Sequence, residues 1–394
     1  MRIHVALAGL FGLLATPELS AGNEVPAWLT DGPRTDEAAI ALDVPLQVFA
    51  NQLHVDVVIN GKPRRFLFDT GSPSMMDSAL AAELGLAVVD RRQSRDSYGA
   101  IVESDIVQAD LTLGGTTFRK VPVFVAPFPK VPKCLIDGVL GSEILPLCAW
   151  QIDVPGGALR CNTDANALAH VATAKKMPLH GFGYPHAPFL DIGLAKNASS
   201  KALFDTGSPE YLTISPEDLV GAQRNKGVGK TIAGTGSIGG SMGGRAPAKE
   251  QLLVQLKDMA IGPVSLGRVG ALRRDSAPSL IGSSILQHFI VTLDSRHSTA
   301  YFDPVREGPY ARPSFGFALD LGEAVTVSMI WKGSPADQAG LRVGNVLTSI
   351  NGQPADPSCE GIRRAMQAMT DKDVMEIEWE GGAARLARNR RILD

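Results

Sequence analysis

Phe68-Asp69-Thr70-Gly71-Ser72-Pro73 occurs in this chain a second time, as Phe204-Asp205-Thr206-Gly207-Ser208-Pro209. A single Asp-Thr-Gly-Ser carries little information, because acidic turns rich in Gly and Ser are common. Two copies, each behind an apolar run (Phe66-Leu67-Phe68 and Ala202-Leu203-Phe204), describe a duplicated unit that sets two carboxylates at equivalent positions. Paired carboxylates are a recognised catalytic device.

The duplication extends outward from the motif. Val139-Leu140-Gly141-Ser142-Glu143-Ile144-Leu145 is answered by Leu280-Ile281-Gly282-Ser283-Ser284-Ile285-Leu286, and Ile152-Asp153 by Leu293-Asp294. These two pairings share one offset, and it is close to that between the aspartates. In each copy the Ser after Gly is expected to cap a short helix. Strand signals begin at Val44. Leu53–Ile59 and Arg65–Phe68 flank Asn60-Gly61, the strongest short-range hairpin signal, and this sets Asp69 at the exit of a strand. Short apolar runs broken by Gly and Pro continue to about residue 157. Residues 162–178 read as a linker, after which 188–192, a polar turn at 196–201 and Asp205 restart the pattern. The chain reads as a two-lobed β protein.

The bulk numbers agree with several domains. The chain has 394 residues, 44% of them hydrophobic and 20% charged, with 41 Gly and 26 Pro favouring turns and strands. A net charge of −3 gives no reason to expect nucleic acid or an anionic membrane as partner. The seven His are scattered, without His-Glu-x-x-His or Cys-x-x-Cys, so no metal and no cofactor is expected. Arg2, an apolar run over 5–15 and small residues at Ser20, Ala21 and Gly22 read as a signal peptide over 1–21. That run is too short to span a bilayer. The expected protein is exported, to the periplasm or outside the cell. Cys134, Cys148, Cys161 and Cys359 allow a disulfide, most naturally among the first three; buried free thiols are an equally fair reading.

If the lobes pack about a pseudo-twofold axis, Asp69 and Asp205 meet at its centre. Two adjacent carboxylates hold one shared proton over a wide pH range. The ionised member can take a proton from water while its partner donates to a carbonyl oxygen, which is general acid–base hydrolysis without a covalent intermediate. Thr70 and Thr206 can hydrogen-bond across the dyad, Gly71 and Gly207 let two loops approach, and Ser72 and Ser208 can hydrogen-bond the outer carboxylate oxygens.

With these residues assembled, residues 43–305 resemble the pepsin-like and retropepsin-like aspartyl proteases. The resemblance implies a mostly β, two-lobed acid protease fold with pseudo-twofold symmetry and an aspartic endopeptidase acting on peptides or unfolded proteins. It implies that Val139-Leu140-Gly141 and Leu280-Ile281-Gly282 pass beneath the catalytic loops. Tyr98-Gly99 looks like the flap of that family. Gly234 follows Asp205 at the spacing by which Tyr98 follows Asp69, and it opens a Gly-rich hairpin over 234–244. Each lobe is shorter than in pepsin, and Pro73 and Pro209 depart from the family pattern.

The chain beyond Pro313 differs in character. A strand over 324–330, a short helix closed by Gly340, a strand into the turn Asn351-Gly352, an amphipathic helix over 361–369 and an alternating strand from Met375 to Trp379 form a small α+β unit. It resembles a PDZ domain, with Phe315, Gly316 and Phe317 in the place of the carboxylate-binding loop. The resemblance implies an edge at Phe317–Leu321 that adds an extended peptide and holds its C-terminus. Gly234-x-Gly236-x-x-Gly239 and Gly239-x-Ser241-x-Gly243 match dinucleotide and nucleophile-elbow patterns, but neither lies in the βαβ or strand–turn–helix setting those need. The expected organisation is thus a signal peptide at 1–21, lobes at 43–161 and 175–305 and a PDZ domain at 313–394, in a monomer. The rival expectation is a peptide-binding protein that retains the protease fold without turnover.

Overall fold

The computed structural model describes residues 25–390 and residue 392; the expected signal peptide lies outside the described residues. The chain is mostly β, with two lobes built on one repeated strand order. In lobe one, Lys62–Phe68 runs parallel to Gly138–Leu140, which lies antiparallel to Met75–Asp77, itself parallel to Thr116–Ala126. Lobe two repeats this with Ala198–Asp205, Ser279–Gly282, Leu212–Ile214 and Val264–Arg273. Asn60 and Gly61 take φ values of 49° and 76°, the left-handed pair that a two-residue hairpin requires.

Side chains alternate across these central strands, and both faces are covered. Phe66 and Phe68 enter the main core with Phe118 and Trp150, whereas Leu67 joins a separate apolar cluster on the opposite face. Burial on both faces explains why the sequence reads here as an unbroken apolar run. A floor joins the lobes: Ala149–Asp153 pairs antiparallel with Phe289–Asp294, and Gln151 Nε2 donates to Thr292 Oγ1 at 3.1 Å.

Three local expectations change, and the disulfide expectation is met and extended. The polar stretch 196–201 is mostly strand, because Ala198–Asp205 starts directly after a two-residue turn. The linker is shorter than expected, since Lys175–Phe182 pairs with Thr299–Pro304 and with Ala187–Ala195, while Leu168 and Val171 are buried against Ala149. Ser142 and Ser283 do not cap the helices they begin. Their hydroxyls donate to loop carbonyls instead, Ser142 to Ser72 O at 3.2 Å and Ser283 to Asn51 O at 2.7 Å. The disulfides are Cys148–Cys161, which lies among the first three cysteines as expected, and Cys134–Cys359, a second bridge whose partners stand 225 residues apart.

The third unit carries Phe317–Leu321, Val325–Trp331, the helix Cys359–Asp371 and a four-stranded sheet around Leu347–Ile350 and Val374–Trp379. It is not a bead on a string. Val325–Trp331 pairs antiparallel with Val228–Gly236 of lobe two, so one sheet runs from the protease lobe into the third unit.

Candidate active site

The two motif loops face each other across the lobe boundary, locked by the side chains that follow the aspartates. Thr70 N–H donates to Thr206 Oγ1 at 3.0 Å, and Thr206 N–H donates to Thr70 Oγ1 at 3.2 Å. Each hydroxyl then donates to the backbone before the opposite aspartate, Thr70 to Phe204 O at 2.5 Å and Thr206 to Phe68 O at 2.7 Å. Both threonines are fully buried. Each thus has its hydroxyl saturated by the opposite loop, the arrangement buried polar groups need.

This lock brings each carboxyl against the opposite loop, close enough for the charge of Asp69 to act on Asp205. A Cβ on Gly71 would strike the Asp205 carboxylate, and one on Gly207 would strike that of Asp69. Only glycine permits the approach. Gly71 N–H donates to Asp69 Oδ1 at 2.8 Å, and Gly207 N–H to Asp205 Oδ1 at 2.9 Å. Burial pushes Asp69 up, opposed by Gly71 N–H, the Ser72 side chain and Asp205. Burial first, and then the charge of Asp69, pushes Asp205 to about 8, opposed by the positive charge of Arg274. The pair therefore keeps one proton well above the usual carboxylate range. Ser72 stands beside Asp69 but its hydroxyl completes no hydrogen bond with a protein group. Ser208 reaches Asp205 through its backbone N–H at 3.2 Å.

The strands that deliver the aspartates also build two walls. In lobe one, register partners Leu67, Val139, Met75, Phe124 and Ile106 form a row across five strands. Leu67 is two residues before Asp69, so strand alternation puts the row on the aspartate's face. Phe128 extends the row, and Tyr184 and Met242 of lobe two border it. Seated on it is Trp28 from the short helix Ala27–Thr30, only 8% exposed. Its indole N–H donates to Asp90 at 2.7 Å, and its ring meets Phe124 and Tyr184 edge-on. Trp28 carries no local motif, so nothing in the sequence around it marks its place beside the dyad.

Tyr98 and Gly99 sit at the tip of the hairpin formed by Val88–Arg95 and Ile101–Leu113. Asp96 shapes the tip by accepting from the N–H groups of Tyr98 and Ala100, both at 2.9 Å, while Gly99 supplies a φ of 85°. The lobe-two hairpin answers it, for Gly243 N–H donates to Asp96 Oδ2 at 3.0 Å. Tyr98 has its hydroxyl desolvated and pushed up, within reach of the charges of Arg274, Asp96 and Glu210. Gly234 lies in the stem of its hairpin, not at the tip. It pairs with Gln251 on one side and Trp331 on the other, and a Cβ there would strike the Trp331 ring.

In the third unit Phe315 and Phe317 are buried in the core, and Gly316 turns the loop with a φ of 92°. The N–H of Gly316 is taken by Ser314 Oγ at 2.9 Å. Phe317–Leu321 is a sheet edge, as expected, and its Phe317 and Leu321 share one apolar core with Ile362, Ala365 and Ala368 of Cys359–Asp371. One end of the space between them is not free. The lobe-one helix Lys130–Leu135 packs there, with Cys134 and Val131 against the unit's core and Lys130 Nζ donating to Gly322 O at 2.7 Å. Arg363 holds Cys134 O at 2.5 Å, and the Cys134–Cys359 disulfide closes the contact.

Residues 55–144 match the family model described as aspartyl protease, and residues 326–376 match the model described as PDZ domain. No curated protein matches the chain. Among the solved structures it is similar to is the aspartic proteinase from Irpex lacteus, at 12% identity and a TM-score of 0.43, covering 67% of this chain and 97% of that one.

Proposed function

We propose that this chain, which carries an aspartyl protease domain and a PDZ domain, is an aspartic endopeptidase whose functional unit is the Asp69–Asp205 pair. The observation that carries the reading is the reciprocal Thr70–Thr206 lock, which brings two half-buried carboxyls together at the lobe boundary, where burial and the charge of Asp69 favour a proton on Asp205. A water between the carboxyls loses a proton to the ionised member and attacks the peptide carbonyl. The protonated member donates to the carbonyl oxygen, giving a neutral tetrahedral diol. Its collapse returns a hydroxyl proton to the dyad and delivers the other carboxyl's proton to the leaving nitrogen. Thr70, Gly71, Ser72, Thr206, Gly207 and Ser208 hold the pair, and the Tyr98–Gly99 tip closes over an extended substrate. Asp69→Asn or Asp205→Asn should abolish cleavage of an unstructured protein with folding intact, read by gel assay and thermal melt. Full activity in either variant would refute the dyad.

The PDZ domain, in this reading, works first as a brace, because the helix Lys130–Leu135 and its disulfide occupy one end of the peptide groove. Phe315, Gly316 and Phe317 receive a peptide C-terminus only once that helix is displaced. Two disulfides fit an exported protein, and among the described residues no helix is long and apolar enough to cross a membrane. A periplasmic or extracellular location, a signal peptide at 1–21, lobes at 43–161 and 175–305 and a PDZ domain at 313–394 complete the proposal. The second reading, a peptide-binding protein without turnover, draws on Trp28, which fills the wall beside Asp69 as a bound side chain would.

A further inference from the structure

The lobe-two wall of the cleft carries an arginine. In lobe two the row of register partners is Leu203, Leu280, Thr213 and Leu272. Leu203 precedes Asp205 by two residues, so this row lies on the face from which Asp205 projects. Arg274 follows Leu272 by two residues and continues the ladder, its N–H donating to Ile214 O at 3.0 Å. Alternation therefore puts its side chain on the cleft face, one step beyond the row that ends at Leu272. The guanidinium is fixed from behind, with Nη1 donating to Pro278 O at 2.8 Å and Nη2 to Ser276 Oγ at 3.3 Å.

Arg274 forms no salt bridge among the described residues, although acidic groups lie close by in the chain. Asp275 is paired with Lys249, and Glu210 with Arg312 at 2.5 Å. The charge of Arg274 is felt instead at Asp205 and at the Tyr98 hydroxyl. Burial lowers its own pKa from the ordinary arginine value, opposed by the charge of Asp205.

The geometry points to Arg274 as a specificity residue that receives a substrate carboxylate, an Asp or Glu side chain, on the lobe-two side of the scissile bond. A fixed, partly desolvated guanidinium with both outer nitrogens anchored presents its remaining donors in a fork that fits a carboxylate. This rests on the peptidase reading and names the substrate class for the same site.

The experiment uses peptides identical except for Glu or Gln, scanned across the positions around the cleavage point. One Glu position should be favoured over Gln by about tenfold or more in kcat/KM, chiefly through KM. Arg274→Gln should bring that ratio to about one, and Arg274→Lys should retain part of it. A ratio near one in the wild type overturns the inference. So does an Arg274→Gln protein that slows both peptides alike and moves the pH profile, since the arginine would then act on the dyad alone. Binding of the same peptides to the Asp69→Asn protein, read by fluorescence polarisation, gives the ratio without turnover. Absent cleavage then counts against the peptidase reading, and an absent binding ratio against this one.

Discussion

Thr70 and Thr206 each donate a backbone N–H to the other's hydroxyl, at 3.0 and 3.2 Å, and each hydroxyl donates across to the opposite strand. The four bonds tie the lobes at the point where the aspartates leave them. Removing either hydroxyl leaves a buried N–H and a buried carbonyl unpaired. Thr70→Ala or Thr206→Ala should cost about 1–3 kcal/mol each, and the double variant should cost less than the sum, because the residues share partners. Serine should keep the bonds. Denaturant melts of the four proteins, with peptide turnover in parallel, check this; alanine variants as stable and active as the wild type would make the lock dispensable.

Stability should fall as pH rises toward 8. Asp205 is pushed up to about 8 and Glu143, fully buried and accepting from Ser74 N–H at 3.1 Å, to about 7. Both hold protons in the fold that their unfolded forms release near 4, so the unfolded chain binds fewer protons over that interval and loses less by a pH increase. His54 works oppositely below 6.5, because burial lowers it to about 4 and the unfolded ring binds the extra proton. The carboxyl effect is thus cleanest from about 6.5 to 8. Glu143→Gln and Asp205→Asn should each flatten the fall in melting temperature there. Activity should persist near neutral pH and drop once the shared proton leaves. A slope unchanged in both variants would assign the fall to other groups.

Breaking Cys134–Cys359 should have two separable effects. The bridge closes a very long loop, so Cys359→Ser should destabilise by about 2–5 kcal/mol. It should also let the helix Lys130–Leu135 leave the groove, so that a fluorescent C-terminal peptide binds the variant, or the reduced protein, more tightly than the oxidised one. Equal affinity in both states would mean that the helix does not compete with peptides.

Trp28→Ala should uncover the lobe-one wall. Truncating a buried aromatic costs about 3–5 kcal/mol, and the variant should melt earlier. If the wall receives substrate, KM for peptides with a large apolar side chain should fall several-fold while kcat holds. An unchanged KM would make Trp28 a core residue only.

How much of this was legible follows from how local each signal was. The aspartates, threonines and glycines were readable because each lobe repeats them in order, and Asn60-Gly61 because its left-handed turn is written in two residues. The caps assigned to Ser142 and Ser283 failed because loop carbonyls far away in sequence competed for the hydroxyls. Cys134–Cys359, Trp28 and Arg274 depend on contacts between segments far apart in the chain. Arg274 in particular is one arginine among many until the strand register shows which face it occupies. Gly234 was placed by counting from Asp205, and counting could not reveal that Trp331 would pack on it.

The pairing of Gly234, Thr235 and Gly236 with Trp331, Ile330 and Met329 gives the cleft a hinged side and a splinted one. Further bonds extend the splint at both ends, from Ser237 N–H to Ser328 O at 2.8 Å toward the lobe-two tip and from Lys332 N–H to Ala233 O at 2.9 Å toward the base of the stem. To admit a chain, that hairpin would have to unzip from a neighbouring domain, while the Tyr98 hairpin would give up side-chain contacts, from Gly243 N–H to Asp96 at its tip and from the Trp28 indole to Asp90 on its stem. Substrates should therefore enter past one moving jaw against a fixed anvil, so that the two halves of a duplicated enzyme no longer do the same mechanical job.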